Sequence, residues 1–137
     1  MRQQLHVDYL EARDVLVACS SKADAMGVPV SICILDGSGH PVLTARLDGA
    51  PFQTADVARG KALTAVMMRQ SSKAIEDVTL ERLTLATFDD GRLPIQGGLP
   101  LIASGVCVGA VAASGGTPDQ DEIIAEAGAS AFARSHV

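Results

Sequence analysis

The chain has 137 residues, room for one domain with a core of its own. Hydrophobic residues make up 47%, which excludes a disordered chain, while aromatics are only 3% and Trp is absent. A net charge of −5 with so few stacking rings argues against a nucleic-acid partner.

Leu5, Tyr9, Ala12, Leu16, Cys19, Ala23 and Met26 recur at steps of four and three, the spacing of one helix face. Gly27 stands where the C-cap of that helix belongs. The stretch that follows organises the rest. Residues 28–35 are apolar enough to be buried on both faces, Asp36-Gly-Ser-Gly39 supplies turn residues, and residues 41–47 return as a second strand. The chain then leaves the sheet through Arg46-Leu-Asp-Gly-Ala50. Thr54 is placed to cap a second helix, along which Ala55, Ala58, Ala62 and Ala65 form a stripe of small residues. Gly60 inside that helix costs about 1 kcal/mol relative to Ala. It therefore marks a close backbone contact, with a strand or with a ligand.

Ser71 to Asp90 reads as a third helix or two short ones. Three extended segments follow, at residues 92–96, 99–103 and 106–113, with Pro94 and Pro100 at strand starts or edges. Thr117-Pro-Asp-Gln120 combines an N-cap, proline at the first helical position and glutamine three residues after the cap. Ile124, Ala127 and Ala131 form the inner face of the last helix. This order, with hairpin connections, predicts one α+β domain over residues 1–137. Its sheet is mainly antiparallel and five-stranded, with residues 28–35 and 106–113 central.

Cys19, Cys33 and Cys107 include no CxxC pair, and an odd count makes a poor disulfide framework. They read as apolar side chains in a reducing compartment, and zinc-ligand spacing is missing. The N-terminus lacks the apolar run of a signal peptide and no stretch approaches a membrane span, so the expectation is a cytoplasmic protein that engages no membrane.

Five pieces in order carry a resemblance. They are residues 30–36 with Gly-Ser-Gly-His-Pro-Val, Arg46-Leu-Asp-Gly-Ala, Ala58-Arg-Gly-Lys-Ala-Leu-Thr-Ala65, Gly97-Gly-Leu-Pro-Leu101, and Val108-Gly-Ala with Ser114-Gly-Gly-Thr-Pro-Asp-Gln-Asp-Glu122. In these the chain resembles the GlcG/HbpS family of haem-binding proteins, which includes the C-terminal domain of PduO-type proteins. The resemblance implies a profilin-like fold and compact homo-oligomers. It also implies haem or another tetrapyrrole as a ligand.

The candidate site gathers around these motifs. Arg46 and Asp48, two apart at a strand end, form either a polar anchor for an anionic ligand or a structural ion pair that pins the loop. Arginine suits bidentate carboxylate binding. Lys61, among alanines, either snorkels to water or reaches a site beside the sheet. Gly97 and Gly98 offer backbone N–H groups for an anion, or simply a turn. His6, His40 and His136 are the histidines, none of them an evident axial ligand, and no metal-ligand set is read. The expected function is a small-molecule binding protein whose anion-accepting pocket contains Arg46, Asp48, Lys61, Gly97 and Gly98. The alternative is a metal-independent lyase, isomerase or hydrolase of a small oxygenated acid, in which Lys61 or Asp48 moves a proton. Met67 and Met68, with the alanine-rich helix, point to assembly of identical subunits.

Overall fold

A computed structural model describes residues 1–136. Helix α1 spans Tyr9–Met26, strands β1 and β2 Ser31–Asp36 and Pro41–Arg46, helices α2 and α3 Thr54–Met68 and Ser72–Glu81. A 3-10 turn at Leu83–Thr87 leads to β3, Gly98–Ala103, then β4, Val106–Ser114, and α4, Pro118–Ser135. The sheet has four strands in the order β2-β1-β4-β3, every neighbouring pair antiparallel. β1 and β4 are central, as their continuous apolar character requires.

The two faces of β1 lead to two cores. Ile32 and Ile34 pack with Val15, Cys19, Ile124 and Phe132 of α1 and α4. Cys33 and Leu35 pack with Ala58, Ala62, Ala65 and Val66 of α2. Ala110 and Ala112 of β4 face the same α2 alanines, and small side chains on both sides bring helix and sheet close together. The alanine stripe of α2 is thus spent inside the subunit.

The expected fifth strand does not form. Residues 91–97 cross the outside of α2 instead of joining the sheet. The Leu93 N–H donates to the Gly60 carbonyl at 3.1 Å and to Thr64 Oγ1 at 2.8 Å. Ser72 Oγ donates to the Ile95 carbonyl at 2.6 Å. Pro94 has no N–H to give a ladder. Gly60 makes the crossing possible, because a Cβ there would stand 2.7 Å from Leu93 Cβ. Its close contact is with this crossing segment.

Two helix starts also differ from expectation. Asp8 and Glu11 form a capping box, so α1 begins at Tyr9 and Leu5 precedes it. Its buried face is Ala12, Val15, Cys19 and Ala23, with Tyr9 exposed. Thr54 is the first residue of α2 and its hydroxyl donates to the Pro51 carbonyl at 2.6 Å, so it caps no N–H. The Thr117 capping box opens α4 as expected.

Candidate functional site

Lys61 lies deepest of the expected residues. It is 2% exposed, on the side of α2 that faces β4. Its ammonium donates to Asp121 Oδ2 at 2.8 Å and to the Ala113 carbonyl at 3.1 Å. The other Asp121 oxygen accepts the Gly116 N–H at 2.8 Å, where the chain turns into α4. The pair ties α2, the end of β4 and the start of α4 at one point. Both side chains are almost wholly out of water, and each is satisfied by hydrogen bonds as well as by the opposite charge.

Gly97 and Gly98 belong to the same knot. A Cβ on Gly97 would stand 2.9 Å from both Lys61 Nζ and the Ala113 carbonyl oxygen. One on Gly98 would clash with the Lys61 carbonyl. The Gly98 N–H donates to Ser72 Oγ at 2.8 Å, and the Gly97 carbonyl accepts the Ala113 N–H at 3.1 Å. These two polar groups are committed within the fold. The glycines let β3 pass against α2.

Arg46 stands elsewhere. It ends β2 and pairs in register with Ser31, whose hydroxyl lies 2.8 Å from that of Thr54 on α2. Directly paired residues share a face, so Arg46 is on the α2 side of the sheet, exposed along its edge strand. Two residues back on that face, Thr44 Oγ1 donates to Cys33 Sγ at 3.5 Å. Burial pushes the Cys33 thiol pKa up; the Thr44 hydroxyl and the nearby Arg59 guanidinium pull it part of the way back. Arg59, exposed on α2, is thus near enough for its charge to act on that thiol. Arg46 and Arg59 border one face, and neither takes part in an ion pair among the described residues.

Asp48 does not join them. It borders a cavity of about 540 Å³ with Ser20, Ala23 and Asp24 of α1. The structure thus brings Lys61, Gly97 and Gly98 together and leaves Arg46 and Asp48 apart from that group. Sequence reading missed Asp121 and Arg59. In sequence Asp121 is one of three acids in the first turns of the last helix, where carboxylates favour the helix start. The signal for its role was Lys61 itself, because a lysine facing a sheet among alanines needs a buried acid.

The histidines are placed by hydrogen bonds. His6 Nδ1 accepts the Gly37 N–H at 3.1 Å, and His136 bonds Glu11 and the Phe132 carbonyl. His40 is exposed in the hairpin turn, six residues along β2 from Arg46.

An antiparallel sheet with α1 and α4 on one face and α2 on the other makes this an α+β protein. Its family is defined by more than the fold. A family model described as "Haem degrading protein HbpS-like" matches residues 7–130, and the chain belongs to that family. An uncharacterized 15.0 kDa protein in the dhaT-dhaS intergenic region of Citrobacter freundii is 34% identical over 125 residues, 88% of either chain. The crystal structure of a double mutant of Streptomyces reticuli HbpS superposes with a TM-score of 0.91 at 31% identity. That match covers 96% of this chain and 90% of the other. The crystal structure of a PduOC:heme complex matches with a TM-score of 0.83 at 26% identity, over 93% of this chain and 95% of that one.

Proposed function

We propose that this chain is a cytoplasmic small-molecule binding protein, one HbpS-like domain in a homo-oligomer, that takes haem or another tetrapyrrole. The likeness to the PduOC:heme complex, nearly end to end, carries this reading. Three free cysteines suit a reducing compartment. Among the described residues no helix is long and apolar enough to cross a membrane.

The anion-accepting part of the proposal rests on Arg46. Lys61 is committed to Asp121, so Arg59 is the second cation that shares its face. Two exposed guanidinium groups, one at the end of β2 and one on α2, suit a pair of propionates, since each offers a planar fork to a carboxylate. His40 lies roughly 20 Å along β2 from Arg46 at the usual strand rise. What holds the tetrapyrrole in this proposal is its carboxylates.

An acid–base enzyme would need Lys61 or Asp48 beside Arg46. Lys61 is sealed in its ion pair and Asp48 opens against α1, so no observation favours that reading.

Haem titration followed at the Soret band tests the proposal. Arg46→Ala and Arg59→Ala should each weaken binding about tenfold, the loss of one exposed charge-assisted contact. Arg92→Ala should bind as the parent does, because Arg92 is held by Asp90 at 2.7 Å and stacked over Phe88. A parent protein with no haem-dependent Soret change refutes haem binding. A parent that binds, with both alanine variants unchanged, refutes this face alone.

A further inference from the structure

At the sheet end remote from Arg46 lies a cavity of about 770 Å³. One wall is the N-terminal segment. It is held by the Val7 N–H on the Val108 carbonyl at 3.0 Å and by Gln4 Nε2 on the Gly37 carbonyl at 3.0 Å. The other walls are the end of α2 and the turn between β3 and β4. Arg2 and Arg69 line it, Ile102 and Val106 give it an apolar side, and Cys107 lies within it. No acidic residue lines it, although the chain carries 16 acids against 11 bases. Arg2 and Arg69 form no ion pair among the described residues.

From this we infer a second ligand site, separate from the Arg46 face, that takes an anion with an apolar body and two carboxylates. The arginines meet the carboxylates from two walls, and Ile102 and Val106 cover the apolar part. Ordinary surfaces of an acidic protein intersperse both signs; two guanidinium groups over an apolar patch without a counter-charge select for negative ligands.

Cys107 supplies the reporter. It is half-buried in the cavity, whereas Cys19 and Cys33 are fully buried. The aromatic disulfide 5,5′-dithiobis(2-nitrobenzoate) has the proposed chemistry, two carboxylates on an apolar body. A neutral aromatic disulfide, 2,2′-dithiodipyridine, reacts with the same thiol by the same exchange and serves as the uncharged reference. The parent, Arg2→Gln, Arg69→Gln and the double variant are reacted with each reagent in 0.15 M salt, with Cys107→Ser as the blank. A dianion about 6 Å from one guanidinium, screened at that salt, corresponds to about threefold in rate. Each substitution should therefore slow the dianionic reagent about threefold relative to the neutral one, a ratio that cancels any change in the thiol itself. Sebacate, an aliphatic dicarboxylate, should protect Cys107 from the neutral reagent in the parent and not in the double variant. An equal ratio of the two rates in all four proteins, or no protection of the parent by sebacate, overturns the site.

Discussion

Lys61 carries a positive charge into an interior built from alanine, valine, leucine and cysteine, and its partner comes from 60 residues further along the chain. Removing one member of such a pair leaves the other charged and dry. Lys61→Ala should therefore cost about 3–5 kcal/mol in urea unfolding, while Lys61→Met with Asp121→Leu, which removes both charges but also the partners of the Gly116 N–H and the Ala113 carbonyl, should recover only part of that loss. A single variant as stable as the parent would show that the charge is not buried as described. This residue also marks the limit of what the sequence disclosed about the site. The motif residues Lys61, Gly97 and Gly98 were legible as special, and they do meet. Their purpose was not legible, because a knot of glycine and buried charge has the same local signature as an anion pocket. The difference lies in whether an acid closes it, and Asp121 is distant in sequence. Arg59, exposed in the middle of a helix, has no local signature at all; only the reach of its charge to Cys33 gives it a place.

At the scale of elements, periodicity, apolar runs, turn residues and caps placed α1, α2, α4 and the four strands, left residues 71–90 as one helix or two, and failed where an extended segment packs on helices instead of a sheet edge. Residues 92–96, with Pro94 among them, look like a strand, yet the Leu93 N–H and the Ile95 carbonyl bond Gly60, Thr64 and Ser72 of α2 and α3, and Gln96 bonds Glu76, Asp119 and Glu122 of α3 and α4. No pattern within the segment records that choice. A second contact between distant elements is pH-sensitive. His136, at the end of α4, donates from Nδ1 to the Phe132 carbonyl at 2.8 Å, and its Nε2 meets the Glu11 carboxylate of α1. The Phe132 carbonyl first, then the Glu11 carboxylate and the Asp8 charge, raise the His136 pKa above its ordinary 6.5. A raised histidine pKa contributes stability that is complete below about 6.5 and is lost as pH rises through the folded value. The ring is 28% exposed, so the contribution is small. The melting temperature of the parent, measured by circular dichroism, should decline through that window relative to His136→Gln. Parallel curves for the two proteins would show that the α1–α4 contact does not depend on the imidazolium.

For the whole molecule, the question is what covers the apolar side chains that the fold leaves outside. The alanine stripe cannot serve assembly, since Ala58, Ala62 and Ala65 are fully buried against their own sheet. Met67 and Met68 are exposed at the end of α2, as an assembly role requires. The larger surplus lies on α3 and the turn after it. Leu80 and Leu83 are each 69% exposed, Val78 and Phe88 are exposed as well, and no residue of the 3-10 turn at Leu83–Thr87 is buried. Single exposed leucines are ordinary, but several in one short segment mark an interaction surface. A second copy of the chain is the occupant that follows from the proposed homo-oligomer, because an isologous contact needs no partner beyond the same surface turned through a two-fold axis. Light scattering at micromolar concentration should then give a mass above that of one subunit. Replacing Leu80 and Leu83 together with lysine should lower that mass and leave the far-ultraviolet spectrum intact, since neither side chain contributes to either core. A monomeric parent removes the homo-oligomer. An oligomer that survives both lysines keeps the assembly and moves its interface away from α3, toward Met67 and Met68.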